Sequence, residues 1–373
     1  MSSPHFLQRH QKLAQVLKQQ ELDALALNPG PSLPYLTGMH FHMSERPVVV
    51  IFSADQDPII VLPQLEALKI QNLPYKIQAF PYDENPSNWV KAFRGAIEAG
   101  GFEKGRVGVE PRAFRVLELD FLKEAAPEAQ FVSGEAAVAE LRMRKDASEV
   151  SNMREAAQIA QSALQATLPM IKPGVTEKEI ATELIMQLLR HGSHSKVPFS
   201  PIVSGGPNSA NPHAAPSDRK LENGDLLVID WGANVKGYFS DITRTFAIGE
   251  VDPELKLIAE IVMKANATGH ATAKPGIPAG QVDDATRAVI DEAGYGEFFT
   301  HRTGHGLGLE GHEEPYIRSD NQILLEVGMS FTIEPGIYLP GRGGVRIEDD
   351  VVVTADGLES FTDLPRELIQ LEA

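Results

Sequence analysis

Four acidic residues stand where strand-like sequence usually excludes charge. Asp230 and Asp241 lie in VIDWGANVKGYFSDITRTF, and Glu334 and Glu348 lie in IEPGIYLPGRGGVRIED, both rich in β-branched and aromatic residues. A carboxylate inside such a strand is costly unless an opposite charge sits beside it. Asp230 and Asp241 are eleven apart, and a hairpin turning between Val235 and Lys236, with Asn234 and Gly237 as its tolerant residues, sets them directly opposite one another. Opposed strand residues have Cβ atoms about 5 Å apart. Two carboxylates that close do not both ionise without a compensating cation. Glu334 and Glu348 are fourteen apart, centred on Gly341, with Pro340, Gly343 and Gly344 supplying a longer turn.

Any one of these acids alone reads as a solvated strand face, Glu348 in RIEDDV above all. The four together call for metal. The rival with weight is an aspartyl dyad sharing a proton, which needs two acids rather than four. HRTGHGLGLEGHEEP adds His301, His305 and His312. The spacing of His301 and His305 is that of a zinc-protease helix, but Gly304, Gly306 and Gly308 argue against a helix and no Glu follows His301. A glycine-flanked histidine on a strand or loop lets backbone approach a buried site. One of the three is expected as a metal ligand, the others facing substrate. Four carboxylates and an imidazole form an oxygen-rich set suited to Mn²⁺ or Co²⁺, with Zn²⁺ and Fe²⁺ compatible. Four negative ligands balance two divalent ions, which about 3.5 Å apart sharpen a water into a nucleophile and steady an oxyanion.

An internal repeat must position these groups. IKPGV (171–175) is echoed by AKPGI (273–277), an offset of 102, and LENGDLLVIDWG (221–232) by LEVGMSFTIEPG (325–336), an offset of 104. Asp230 faces Glu334 in that alignment. Each half reads as helix, turn, helix, then hairpin, so two units close into a pseudo-symmetric domain with an acid pair from each.

Upstream, RHQKLAQVLKQQELDALALN reads as a helix running into a strand, RPVVVIFSA and DPIIVLP as strands, and PSNWVKAFRGAIEAGGF as a helix ended by glycines. This predicts an α/β domain over 1–138, without a phosphate-cradling GxGxxG loop, and an α+β domain over 139–373. Asp146, or else Ser148, is the expected N-cap of a long amphipathic helix whose stripe Val150, Met153, Ile159, Ala160, Ala163, Leu164 and Leu168 packs into a core. The 373 residues are 42% apolar, and 34 Lys and Arg against 51 Asp and Glu leave a formal charge of −17. So acidic a surface argues against nucleic acid or anionic membrane as partner. There is no cysteine, which excludes disulfides, thiolate metal sites and a Cys nucleophile. The N-terminus lacks the apolar core of a signal peptide and no run approaches a membrane span, so a cytoplasmic location is expected.

DWG with SDITRT, GHGLGLEGHE, EPG and RIEDD together resemble the pita-bread metallopeptidases that include prolidase (Xaa-Pro dipeptidase), aminopeptidase P and methionine aminopeptidase. The resemblance covers about Asp146 to Ala373, and the preceding domain resembles the creatinase-type N-terminal domain of the proline-specific members. It implies Asp230, Asp241, His305, Glu334 and Glu348 as dinuclear ligands, with Asp241 and Glu348 bridging, Asp230 serving one ion, and His305 with Glu334 serving the other. It further implies His213 in NPHAAPSD as a substrate-side histidine, His301 and His312 as lining the proline pocket, Arg346 as assisting proton movement beside Glu348, and Glu334 as passing a proton to the leaving nitrogen. An Xaa-Pro bond has no N–H, so attack by an activated water suits it. The implied function is Xaa-Pro dipeptide hydrolysis by a homodimer; aminopeptidase P activity on longer peptides is the alternative, and a peptide-binding module that lost activity a remoter one. The short gap between Glu334 and Glu348 resembles small microbial prolidases. A cation for the substrate carboxylate would be Arg318, two positions beyond the place the resemblance assigns it, where Tyr316 stands.

Overall fold

The computed structural model describes residues 3–372 and divides into two compact units, Met1–Arg142 and Met143–Ala373. The first unit is built on a six-stranded mixed sheet, in the spatial order Gln78–Tyr82, Ile59–Pro63, Val49–Ser53, Ala24–Leu27, Arg106–Val109, Gln130–Ser133. Its strands Ala24–Leu27 and Ile59–Pro63 are buried throughout, as continuous apolar runs require in a sheet covered on both faces. The helix Pro86–Gly100 is capped by the Asn85 side chain and ends on Gly101, whose φ of 69° is the left-handed C-cap that glycine adopts without penalty. Its Trp89, Phe93, Ala96 and Ile97 face the sheet.

The second unit opens with the helix Ala147–Thr167. Asp146 is its N-cap: its Oδ1 accepts from the backbone N–H groups of Ser148 and Glu149 at 2.8 and 2.9 Å, while Glu149 accepts from Asp146 N at 2.9 Å. Such a cap is worth about 1 kcal/mol. Met153, Ile159, Ala160, Ala163 and Leu164 enter the largest core, with Val150 and Leu168 packed at its margin.

The repeat is visible in matched hydrogen bonds. Gly174 N donates to Leu221 O and Gly276 N to Leu325 O, each at 2.8 Å, and the return bonds Leu221 N to Val175 O and Leu325 N to Ile277 O are 2.9 and 2.8 Å. Helices Ala147–Thr167 and Glu177–Arg190 belong to one half, Pro253–Thr272 and Ala279–Glu292 to the other. The halves carry a four-stranded sheet, ordered Ile369–Leu371, Ile242–Ile248, Leu226–Trp231, Ile202–Gly205, and a five-stranded sheet, ordered Glu313–Ile317, Gly304–Gly306, Ser330–Ile333, Asp349–Thr354, Gly357–Ser360. They meet where Glu348 N donates to Thr243 O at 3.1 Å, an isolated bridge between the two sheets.

Alternation then sorts the side chains. In Leu226–Trp231, Leu227, Ile229 and Trp231 enter the core beneath the first helix, and Trp231 Nε1 donates to Ala160 O at 2.8 Å. Successive strand residues point to opposite faces, so Asp230 is turned away from that core. Among the described residues, no helix is long and apolar enough to cross a membrane.

Candidate metal centre

Asp230, Asp241, His305, Glu334 and Glu348 converge where the two halves meet. Ligand atoms of Asp241, His305 and Glu348 all lie within 4.8 Å of one another, and His305 Nε2 is 3.2 Å from Glu334 Oε1 and 3.8 Å from Asp241 Oδ2. In the second hairpin Ile333 opposes Asp349 and Gly336 opposes Arg346, a register that sets Glu334 across from Glu348. In the first hairpin the expected pairing is corrected. The turn is Lys236–Gly237, with φ of 52° and 91°, and Asp230 opposes Thr243 rather than Asp241. Two positive-φ residues make the tight hairpin turn whose twist matches the strands. The pairing is displaced by two residues, which leaves Asp241 on the same face as Asp230 as its diagonal neighbour.

Glycine is needed around the imidazole. A Cβ at Gly304 would lie 1.9 Å from Thr332 O, and one at Gly306 would lie 2.3 Å from Glu314 O. The chain here is strand, not helix. His305 Nδ1 can only donate to Gly306 O at 3.2 Å, which turns Nε2 toward the carboxylates.

The electrostatics demand positive charge. Asp241 is held well above the usual carboxylate range by burial and then by Glu348, Asp230 and Asp350. Glu348 is raised by burial, Glu334 and Asp230. Asp230 is raised by burial, against the opposing pull of Arg346, and its Oδ1 is buried without a hydrogen bond. Glu334 is the exception: although burial pushes it up, the hydrogen bond and charge of His305 bring it down to about 2. Positive charge beside Glu334 is what keeps that acid ionised. Extended to the whole cluster, the same logic fits divalent metal, which lets the remaining acids ionise together.

The three other histidines differ in setting. His301 Nε2 lies 2.8 Å from Tyr338 Oη and its Nδ1 lies 2.8 Å from Arg302 O. Arg346 donates to Tyr338 Oη at 3.0 Å and to Asp230 Oδ2 at 2.7 Å. Because the carbonyl only accepts, Nδ1 carries the proton and Nε2 receives the Tyr338 hydroxyl. Burial lowers His301 and raises Tyr338 to about 12, so imidazole and phenol are both neutral at pH 7. His312 tilts over His305 at 3.9 Å between ring centroids and accepts at Nδ1 from Arg302 at 3.2 Å. Burial and then the charges of His305, Arg302 and His213 lower it to about 4, so its proton resides on Nε2. His213 is exposed on the loop after strand Ile202–Gly205, and its charge acts on both His301 and His312. Arg318 stands apart, exposed and paired with Asp320 at 3.0 Å.

Residues 151–355 match metallopeptidase family M24, and residues 9–144 match the Creatinase/Prolidase N-terminal domain. This protein belongs to metallopeptidase family M24. It is 38% identical over 355 residues to a probable dipeptidase of Mycobacterium tuberculosis, covering 93% of this chain and 92% of that one. A dipeptidase structure from Pyrococcus horikoshii OT3 superposes with a TM-score of 0.92 at 40% identity, covering 97% of this chain and 100% of the other. An Xaa-Pro dipeptidase from Bacillus anthracis superposes with a TM-score of 0.88 at 35% identity, covering 98% and 100%. The expected fold, a creatinase-like domain followed by a pita-bread domain, is the one present, and the chain is a peptidase of this metal-dependent family.

Around the M24 cluster the fold supplies partners that spacing alone does not single out. Thr243 Oγ1 donates to Glu348 Oε2 at 2.6 Å and accepts from Arg346 Nε at 3.1 Å. Asp241 N donates to Asp350 Oδ2 at 2.9 Å. Asn266 Nδ2, from the helix Pro253–Thr272, donates to Ile333 O at 2.9 Å beside Glu334. Buried Arg244 donates to Glu348 O at 2.7 Å, Thr243 O at 2.8 Å and Asp349 Oδ1 at 2.7 Å. Such outer partners fix ligand orientation. The sequence does hold a trace of them, a charge in each of ITRTF and RIEDD where strand alternation expects none.

Proposed function

We propose that this M24 peptidase hydrolyses Xaa-Pro imide bonds, dipeptides ahead of longer peptides, with two divalent ions, Mn²⁺ or Co²⁺ before Zn²⁺, held by Asp230, Asp241, His305, Glu334 and Glu348. The observation that carries the reading is the convergence of these five groups beside three further histidines and Arg346. Bound there, the metals supply a nucleophilic water at neutral pH and polarise the scissile carbonyl. Glu334, ionised beside His305, would hold a proton and pass it to the departing proline nitrogen. His312, with its proton on Nε2, donates toward the carbonyl oxygen as it gains charge. Neutral His301 and Tyr338 form a wall beside which a proline ring packs, and Arg346 orients Asp230 through its 2.7 Å bond to Oδ2.

The preference for dipeptides is supported by Arg302. Its guanidinium lies over the Tyr316 ring at 4.5 Å and reaches His312, whereas Arg318 is committed elsewhere. A half-buried guanidinium beside the reacting centre suits a free carboxylate one residue beyond the scissile bond. Arg302→Ala is expected to raise KM for Ala-Pro about tenfold, the effect of one charge-assisted contact of about 1.4 kcal/mol, and to lower kcat as well, because Arg302 also donates to His312 Nδ1. An unchanged KM would remove Arg302 from substrate recognition. The deciding experiment compares Ala-Pro with Ala-Pro-Ala at identical Mn²⁺ loading. Faster cleavage of the tripeptide would assign aminopeptidase activity instead, and no turnover of either with metal bound would end the Xaa-Pro reading.

A further inference from the structure

The helix Glu177–Arg190 begins with a carboxylate that the catalytic cluster does not use. Glu177 is fully buried, at 0% exposure, yet forms no ion pair among the described residues. Arg219, close enough to feel its charge, is spent on Asp225 at 2.6 and 2.8 Å. Glu177 is satisfied by the loop instead. Its Oε1 accepts from Gly205 N at 2.7 Å and Asn208 Nδ2 at 3.0 Å; its Oε2 accepts from Ser217 Oγ at 2.6 Å, Ser217 N at 2.9 Å and Asn208 Nδ2 at 3.2 Å.

Those donors are the two feet of one loop. Gly205 and Asn208 stand where it leaves its strand and Ser217 where it returns, with His213 between them. The span is also fixed from the side: Ser209 Oγ accepts from Gly344 N at 2.9 Å, two residues before Arg346, and a Cβ at Gly344 would lie 2.3 Å from Ser209 O. Beyond Ser209 the loop is held less closely, and His213 is exposed with its backbone N–H on Asn211 Oδ1 at 3.2 Å. The second half has a counterpart. Asp283, on Ala279–Glu292, accepts from Thr303 N at 2.8 Å, and Arg287 donates to His301 O at 2.8 Å, which fixes the segment bearing His301. In each half an acid on the second helix reaches across to a histidine-bearing segment.

We infer that Glu177 is a positioning residue for His213: its buried carboxylate holds both feet of the loop so that the imidazole meets the substrate in one orientation. It touches no metal ligand and acts only through the loop. The inference rests on the proposed substrate-side role of His213. Charge-assisted bonds to a buried carboxylate are the strong kind, and each donor left without an acceptor is penalised, so the loop has one arrangement that satisfies all of them.

The test is a double-mutant cycle on the Mn²⁺-loaded protein with Ala-Pro, using Glu177→Gln, His213→Ala and the pair. Glutamine keeps the volume but turns an N–H group toward donors. Glu177→Gln is expected to lower kcat/KM about 10- to 100-fold, the scale of a displacement of about 1 Å, mainly through KM, with bound metal unchanged. In the His213→Ala background the same substitution is expected to have almost no further effect, because residues acting through one another are not additive. Additive losses, a His213→Ala variant as active as the parent, or an unaltered Glu177→Gln would each overturn the inference. Should Glu177→Gln not fold, Ser217→Ala removes one hydroxyl bond and is expected to show the same non-additivity at smaller amplitude; additivity there is equally fatal. Hydrogen exchange gives a reading independent of turnover. Loss of protection confined to 206–217 in Glu177→Gln supports the anchoring, and unchanged protection refutes it, even if the parent fails to cleave Ala-Pro and the Xaa-Pro reading falls.

Discussion

Asp241→Asn is expected to abolish peptidase activity and to cut metal affinity by more than about 100-fold, beyond what altering an outer-shell partner costs. Asp241 lies within ligand distance of both His305 and Glu348, the only such triad among the described residues. An amide is a neutral ligand with a single oxygen, so the cluster loses a charge and one candidate ligand atom together. The fold should survive. Asp241 is raised by burial and by three neighbouring acids, so removing its charge relieves repulsion in the metal-free protein. The metal-free variant is therefore expected to melt no lower than the metal-free parent, while the metal-induced rise in Tm disappears. Metal content by elemental analysis and paired melts with and without Mn²⁺ check both parts. Full metal content in the variant would remove Asp241 from the ligand set.

Asp349→Asn is expected to have the largest effect on stability. Asp349 Oδ1 accepts from Arg244 at 2.7 Å and Thr362 Oγ1 at 2.5 Å, and Oδ2 accepts from Arg366 at 2.7 Å with His270 at 3.2 Å. Although burial pushes this acid up, Arg244, then the His270 hydrogen bond and Arg366, hold it well below the usual carboxylate range. Neutralising it leaves Arg244, itself 4% exposed, as an uncompensated buried charge, a loss of about 3–5 kcal/mol. For a unit of this size that corresponds to a fall in Tm of about 6–20 °C.

The sign of the pH dependence follows. A depressed folded-state pKa contributes stability that is fully present above the unfolded value of about 3.9 and fades as pH drops below it. The gap in Tm between parent and variant should be widest near pH 7 and close progressively below about pH 4. A gap that stays constant across that range, or is absent at pH 7, would show that Asp349 carries no net charge interaction.

Much of the metal centre was legible before any tertiary contact was known. The repeat at offsets 102 and 104 announced two hairpins, and the glycines around His305 announced close backbone approach, which Gly304 and Gly306 provide. Placing the first turn between Val235 and Lys236, rather than at Lys236–Gly237, shifts the pairing by two residues and gives Asp230 the wrong opposite number. A shift of two leaves every side chain on its own face, so the acids still converge; a shift of one would have turned Asp241 away from the site.

The residues that no local pattern singles out share a cause. Tyr338, Asn266, Arg244, Asp349 and Glu177 act through partners as much as 121 positions away or through atoms whose direction no local pattern fixes. A buried polar side chain is stable only when its neighbours complete its hydrogen bonds, and those neighbours are known only after packing.

The sequence by itself determined the elements, the repeat, and the set of groups able to take metal, because periodicity, turn chemistry and charge inside strands are local properties. The tertiary structure alone decided which imidazole nitrogens carry protons, that Arg302 rather than Arg318 stands beside the cluster, and that Glu177 holds the His213 loop. Each of these depends on which acceptor lies within about 3 Å of a donor, and that distance is set by the whole packed chain.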